Sequence, residues 1–567
     1  MRKKKHVNCA VVDPMRLLSD LESSNVKIWH ITGAHGVFST KGKSVMSNAF
    51  KTISTSLLAV LLLVDASGSR SETPGSEGLD TSSRDEQRLA RFEKQADELR
   101  TLLKIPGMSA VIVKDQKVLW AKGFGFADFE SRIPATPDTL YSIASLTKTF
   151  AATIIMQLVE QGKLDLDEPM SNYSTDFKND SVKVKHLLSH TSNGPTPGDR
   201  YLYDGNQFNY LTAVIEKKNG KPFREVIVET FLDPLSMASS VPGHTVVDEE
   251  DKWAPVLGRD NLKRYARDLS RLSQPYTLYG DSEIVHVPYP PKRFFGAAAG
   301  LLSTVLDMAK FDTAIDRHLF LKKETQEKAW TNFVSNSGQR LLHGFGWFVT
   351  DYRGIKLIWH FGHWGTGFSA IYLKVPEKNL SLVMLANSEA LADHQFQVGE
   401  DIANNLFACN FLRLFVSEDV QRRRLPDPRW TQSMQEFSSE ITGLSKQSKG
   451  YTYDCERNSQ MALAKWREER RKQARVVIQV DPKILEAYVG QYYFDAPAHE
   501  TLTVTREGSK LFVDTPSNQK TELFAESESK FFLKIRPIQM TFIRAEGQVT
   551  HMESVQNGET LRAKKIN

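Results

Sequence analysis

The sequence predicts an α/β (α+β) chain: one antiparallel sheet flanked by helices and carrying a helical insertion, followed by a separate C-terminal all-β barrel-like domain. Three observations predict it. Alternating apolar and polar runs occur near residue 110 and return at 344–387, the sequence between them is dominated by helical periodicity, and beyond residue 476 only short alternating segments between Gly, Pro and charged turns remain. With 567 residues, 40% apolar and 25% charged, the chain is globular and too long for a single core.

Residues 1–45 hold eight Lys/Arg against three acids, which accounts for the whole formal charge of +5. The rest is close to neutral, so no basic stripe remains to track a nucleic-acid backbone. From Met46, "MSNAFKTISTSLLAVLLLVDASGS" has an apolar centre, Leu57 to Val64, ahead of the small residues Ala66, Ser67 and Gly68. That run is too short to span a bilayer and reads as a secretory signal at 46–68, with a membrane anchor or a buried strand as the alternatives. Met46 is then the expected initiator, 1–45 an over-extended start, and 69–83 a disordered spacer. A periplasmic or secreted location follows. Three cysteines occur, Cys9, Cys409 and Cys455, which leaves one possible pair in an exported protein.

Residues 84–103 have helical periodicity. "MSAVIVKD" and "KVLWAKGFGFAD" then form a hairpin, "TKTFAATIIMQLVEQG" a helix closed by Gly162, and residues 210–231 and "GLLSTVLDMAKF" further helices. "GFGWFVTD", "IKLIWHFG", "FSAIYLKVP" and "NLSLVMLAN" read as strands of the same sheet, so that this domain covers 84–412. Residues 413–475 form a charged linker whose run "ALAKWREERRKQA" is expected to be a solvated helix, because Glu468 and Glu469 interrupt its basic face. Residues 476–567 make the all-β domain, of six to eight strands.

Within "YSIASLTKTF" a lysine follows a serine by three places in an otherwise apolar and hydroxyl-rich run. Residues three apart share a helix face, so the Lys148 amine can reach the Ser145 hydroxyl. Burial lowers a lysine pKa and makes the amine a base, which a serine nucleophile needs. An isolated S-x-x-K is weak evidence, but four further motifs follow it in order: "VKHLLSHTSN", "FNYLTAVIE", "AAAGLLSTVLDMAKF" and "YLKVPEKNLSLVMLAN". With "TLYSIASLTKTF" these resemble the serine β-lactamase and penicillin-binding-protein superfamily, in its class C-like branch with carboxylesterases and D-stereospecific peptidases. The resemblance spans residues 85–410 and implies acylation of Ser145 with proton transfer by Lys148. It is weaker for "LEAYVGQYYF" onward, which resembles a lipocalin-like appendage.

The resemblance also implies a Tyr-x-Asn element, placed on Tyr203 with Tyr201 as runner-up. The chain reads Tyr203-Asp204-Gly205-Asn206, with glycine at the amide position and Asn206 one place late. A phenol beside a lysine ammonium is expected to have a lowered pKa. The third element, Lys-Thr-Gly or His-x-Gly in relatives, has two overlapping candidates in "WHFGHWGTGF". His360 is favoured over His363 by its distance from Gly367-Phe368, and the two should face opposite ways on a strand. The oxyanion hole is expected to use the Ser145 amide and another near Gly367, Phe368 and Ser369. His186 and His190 lie four apart but lack an H-E-x-x-H glutamate, so a structural role is expected.

The resulting expectation is a serine hydrolase acting through an acyl-enzyme, without metal or cofactor, on small esters, amides or short peptides. The altered second and third elements favour carboxylesterase or D-amino-acid-specific amidase activity over β-lactamase or DD-peptidase activity. A non-catalytic binder of peptidoglycan fragments is the alternative of another class.

Overall fold

In the computed structural model the strand β1 (Gly107–Lys114) pairs antiparallel with β2 (Lys117–Asp128) on one side, and on the other with a strand far away in sequence. The described residues are 76–289, 295–398, 400–417, 455–495, 500–514, 520–556 and 558–566. The expected extension, signal segment and Cys9 lie outside them. The short strands β3 (Ile133–Pro134), β4 (Tyr141–Ser142), β5 (Tyr276–Tyr279), β6 (Glu283–His286) and β7 (Leu302–Ser303) follow, then β8 (Phe348–Tyr352), β9 (Ile355–His363), β10 (Ser369–Val375) and β11 (Leu380–Ala386). The sheet order is β3-β2-β1-β11-β10-β9-β8. It unites the two alternating regions read from sequence, and Met108 faces Ala386 across the junction.

Strand alternation divides the interior in two. Val111, Ile358, Tyr372 and Val383 face the inserted helices, whereas Ile112, Leu357, Trp359, Phe361 and Leu373 face the helices from the two ends of the domain. One of the latter, α1 (Ser76–Leu102), takes in the last residues of the stretch expected to be a spacer. The inserted region holds α2 (Thr147–Glu160), α3 (Gly205–Asn209) and α4 (Val305–Asp316). Eleven of the 14 residues of α2 are buried, in keeping with its nearly unbroken apolar and hydroxyl sequence. Its end is marked by Gly162 in the left-handed region, φ +68°, where a Cβ would be strained.

Beyond β11 come α5 (Ala390–Asp393), α6 (Leu406–Phe411) and α7 (Cys455–Gln473), the last tied to α6 by the disulfide Cys409–Cys455. The expectation of a solvated helix is corrected for one face of α7. Trp466 is 2% exposed and donates Nε1–H to Asp393 Oδ2 at 2.6 Å, Arg467 donates to Leu102 O at 2.9 Å, and Arg470 pairs with Glu389 at 2.7 Å. Lys472 is balanced within the helix by Glu468 and Glu469, whereas Arg470 and Arg471 pair with acids far away in sequence, which spacing within the helix does not reveal. Eight strands, β12 (Gly490–Phe494) through β19 (Glu559–Lys565), close the C-terminal barrel. Its core is packed with Tyr488, Tyr492, Phe531, Met540, Phe542 and Met552. The barrel grips the β5–β6 hairpin: Val285 and Val287 pack into its core, Tyr279 stacks on Phe532 at 5.8 Å, and Lys534 pairs with Glu283 at 2.7 Å.

Candidate active site

Ser145 lies in a single 3₁₀ turn, Ala144–Leu146, that runs directly into α2. Ala144 has φ +46°, a left-handed conformation that costs a residue with a Cβ about 1–2 kcal/mol. Neighbouring hydrogen bonds hold it there. Thr147 Oγ1 donates to Ala144 O at 2.7 Å and accepts from Leu301 N at 3.2 Å, while Ile143 N donates to Leu301 O at 3.1 Å. The "AAAGLLS" motif therefore braces the serine turn from 150 residues away. The turn also leaves Ser145 at the amino end of a helical run, where backbone N–H groups have no intrahelical acceptor.

Lys148 is one turn further on and 1% exposed. Its Nζ lies 3.0 Å from Ser145 Oγ and 2.8 Å from Ala298 O, and 5.2 and 5.3 Å from the ring centres of Tyr203 and Phe208. Burial lowers its pKa to about 7, with Asp204 pulling weakly the other way. Much of the amine is therefore neutral at physiological pH. With one N–H directed to Ala298, the lone pair can take the serine proton.

Tyr203 is brought to this pair, while Tyr201 stacks on His343 at 6.1 Å. The Tyr203 hydroxyl has no hydrogen bond of ordinary length, although it is close enough to feel Ser145. The expected lowered pKa is corrected: burial pushes Tyr203 well above the ordinary phenol value, and Ser145 offsets only part of this. The phenol therefore keeps its proton. Tyr203 is equipped to donate, not to accept.

Asp204 caps α3, its carboxylate accepting from Asn206 N at 2.8 Å and Gln207 N at 3.0 Å, and its other oxygen accepts from Asn193 Nδ2 at 2.8 Å. A Cβ on Gly205 would lie 3.8 Å from Lys148 Nζ. Gly205 is thus the position that faces the site, and Asn206 is corrected to an exposed residue of the first turn of α3.

The two histidines of β9 do face opposite ways. His360 is fully buried on the side of the inserted helices, with its ring 6.2 Å from Tyr203 and 6.1 Å from His343 and its Nδ1 2.7 Å from Phe361 O. Burial, then the Lys148 charge, hold its pKa well below the usual imidazole value. His343, which no sequence pattern distinguished, is lowered by burial to about 3, and His190 is likewise held low while stacking near Tyr203 at 4.3 Å. Three uncharged imidazoles therefore wall the site without adding a second cation. His186 instead accepts from Lys183 N at 3.1 Å, a helix-start contact. His363 points to the opposite face, with Nε2 3.5 Å from Asp393 Oδ1.

The structure offers a further candidate for the second oxyanion donor. Trp364 N donates to Phe368 O at 3.0 Å, Ser369 lies inside the sheet opposite His363 on β9 and Ala386 on β11, and a Cβ on Gly367 would meet Pro275. β9 is the strand against the serine turn, since a Cβ on Gly362 would sit 2.3 Å from Ile143 O. In an antiparallel ladder the N–H groups alternate, and with Trp364 bonded toward β10 the His363 N–H turns to the other edge. β8 covers that edge only as far as Phe348↔Trp359. The His363 backbone amide thus lies on an edge of β9 that β8 leaves uncovered, on the strand that meets the serine turn. Among the described residues no group of three His, Cys, Asp or Glu side chains could hold a metal ion, and no helix is long and apolar enough to cross a membrane.

Comparison with known proteins agrees with this architecture. Residues 92–403 match the family described as Beta-lactamase, and residues 474–565 match a domain of unknown function, DUF3471. Penicillin-binding protein 4* of Bacillus subtilis (strain 168) is 21% identical over 467 residues, 76% of this chain and 88% of that protein. Protein flp of Staphylococcus aureus (strain N315) is 25% identical over 325 residues, 50% of this chain and 60% of that protein. Among solved structures, the octameric penicillin-binding protein homologue from Pyrococcus abyssi has a TM-score of 0.47 at 21% identity, covering 84% of this chain and 100% of that one.

Proposed function

The chain belongs to the beta-lactamase family, and on that footing we propose that it is an acyl-enzyme serine hydrolase of small esters or D-amino-acid-containing amides. The observation that carries the proposal is Lys148: buried, with a pKa near 7, and 3.0 Å from Ser145 Oγ. Lys148 takes the hydroxyl proton as Ser145 attacks the carbonyl. The N–H groups of Ser145 and His363 stabilise the tetrahedral oxyanion, a contribution of roughly 3–4 kcal/mol for one such donor. Tyr203, still protonated, gives its proton to the departing alkoxide or amine and recovers one from the Lys148 ammonium. Water then attacks the acyl-serine and releases the acid. Gly205 leaves no amide side chain beside Lys148, which supports esters or compact amides over β-lactams. Export from the reducing cytoplasm belongs to the same proposal and is supported by the Cys409–Cys455 bridge.

A fluorophosphonate probe should label the native protein and not Ser145→Ala. The native protein should then turn over p-nitrophenyl esters or D-amino-acid anilides faster than a chromogenic cephalosporin. Labelling of neither protein would remove Ser145 as nucleophile, and labelling without turnover of any of these would favour a binding protein. Faster cephalosporin hydrolysis would return the chain to β-lactamase chemistry.

A further inference from the structure

Helix α7 lies between the two matched regions, after residue 403 and before residue 474, yet its side chains reach the end of β9. The link is Asp393. Its Oδ1 is 3.5 Å from His363 Nε2, and its Oδ2 accepts from Trp466 Nε1 at 2.6 Å and from Arg470 at 3.2 Å. Arg470 also pairs with Glu389 at 2.7 Å and donates to Leu278 O. Glu389, fully buried, accepts from Thr277 Oγ1 at 2.8 Å and Leu278 N at 3.2 Å. One ion cluster thus joins α7, α5, the β5–β6 hairpin and the last residue of β9. His363 also packs edge-on to Phe396 at 6.4 Å, which limits how its ring can turn. The disulfide fixes the first residue of α7.

β9 has no β8 partner at His363, so its N–H is aimed by the β10 ladder on the other edge and by whatever holds the His363 ring. We infer that Asp393 and Arg470 are positioning residues for the His363 amide, and that α7 is part of the active-site scaffold. This rests on the reading of that amide as the second oxyanion donor. A charged cluster suits the task because Trp466 and Arg470 fix Asp393 by directional hydrogen bonds, and Asp393 in turn faces the His363 ring at 3.5 Å, whereas apolar packing alone tolerates sliding. A displacement of about 1 Å at a reacting centre can cost roughly 10²-fold in rate.

The test is steady-state hydrolysis of a p-nitrophenyl ester by the full chain, with binding of a boronic acid as transition-state analogue. Asp393→Asn and Arg470→Met should lower kcat about 10-fold to 100-fold and weaken the boronic acid in parallel, with KM within about threefold. Arg470→Lys should restore part of the loss. In a His363→Phe background Asp393→Asn should add little, because its effect passes through that imidazole. Arg470→Met leaves two acids unpaired and can unfold, so Asp393→Asn and Trp466→Phe, checked by circular dichroism, carry the test independently. Native kcat in folded Asp393→Asn, or full additivity with His363→Phe, would overturn the inference. Failure of the native protein to label at Ser145 would instead sink the hydrolase reading beneath it.

Discussion

Lys148 and Lys374 are both 1% exposed, and they are put to opposite uses. Burial disfavours the ammonium of each. At Lys148 little opposes it, because the neighbours are a hydroxyl, a carbonyl and two aromatic faces, and the pKa falls to about 7. At Lys374, on β10, the same burial is outweighed by Asp312 and by Asp316 at 2.8 Å, and the pKa rises. Ser381 accepts a further hydrogen bond at 3.1 Å, and Tyr372 donates to the same Asp312 at 2.7 Å. Depth in the protein does not make a lysine a base. The absence of a paired carboxylate does, and the protein maintains that condition at one lysine and violates it at the other.

Exchanging each lysine for methionine tests the contrast most severely. Lys148→Met should lower kcat/KM by about 10²–10⁴-fold, the usual worth of a general base. Its folding should change in the opposite sense. A lysine whose folded pKa is depressed is protonated more readily in the unfolded chain, so between pH 7 and 10.5 native stability rises with pH. Methionine removes that dependence, and chemical denaturation should find Lys148→Met more stable than native at pH 6 by on the order of a few kcal/mol. Lys374→Met should instead lose about 3–5 kcal/mol through its stranded acids, and the molecules that still fold should retain native kcat. The native Lys374 contribution is complete below pH 10.5 and fades only as pH rises through its elevated folded pKa.

Asp204→Asn is a milder probe. Its charge supports the Lys148 ammonium, so removing it should shift the acid limb of kcat/KM to lower pH, with little change in the plateau. Asparagine can still cap α3, which keeps the helix start intact. The smallest effect is expected from Gly205→Asn. A Cβ there meets only Lys148 Nζ at ordinary contact distance, so folding should survive while the ratio of amide to ester hydrolysis rises a few-fold. An unchanged ratio would show that the amide position does not read the substrate.

The juxtaposition of Ser145 and Lys148 was legible because it is local: two residues three apart on one helical turn, in a run apolar enough to be buried. The central sheet was legible for a similar reason, since period-2 strands announce themselves wherever they occur. His343, Asp393 and Arg470 carried no such mark. Each is ordinary in its own segment and acquires meaning from groups far away in the chain, as Arg470 does from Asp393 at a separation of 77 residues. The reading of α7 as solvated failed on that point, because the acids that balance Arg470 belong to other elements.

By itself, then, the sequence determined which residues share a turn or a strand face, and hence the Ser145–Lys148 pair and the opposed histidines of β9. Tertiary structure decided how strongly each group holds its proton and which backbone amide is left on a free strand edge. A pKa depends on everything within a few ångströms, and a free strand edge on where its neighbour stops. Both are set when Ala298, Tyr203 and Phe348 arrive from distant parts of the chain, and neither is written in the spacing around Ser145.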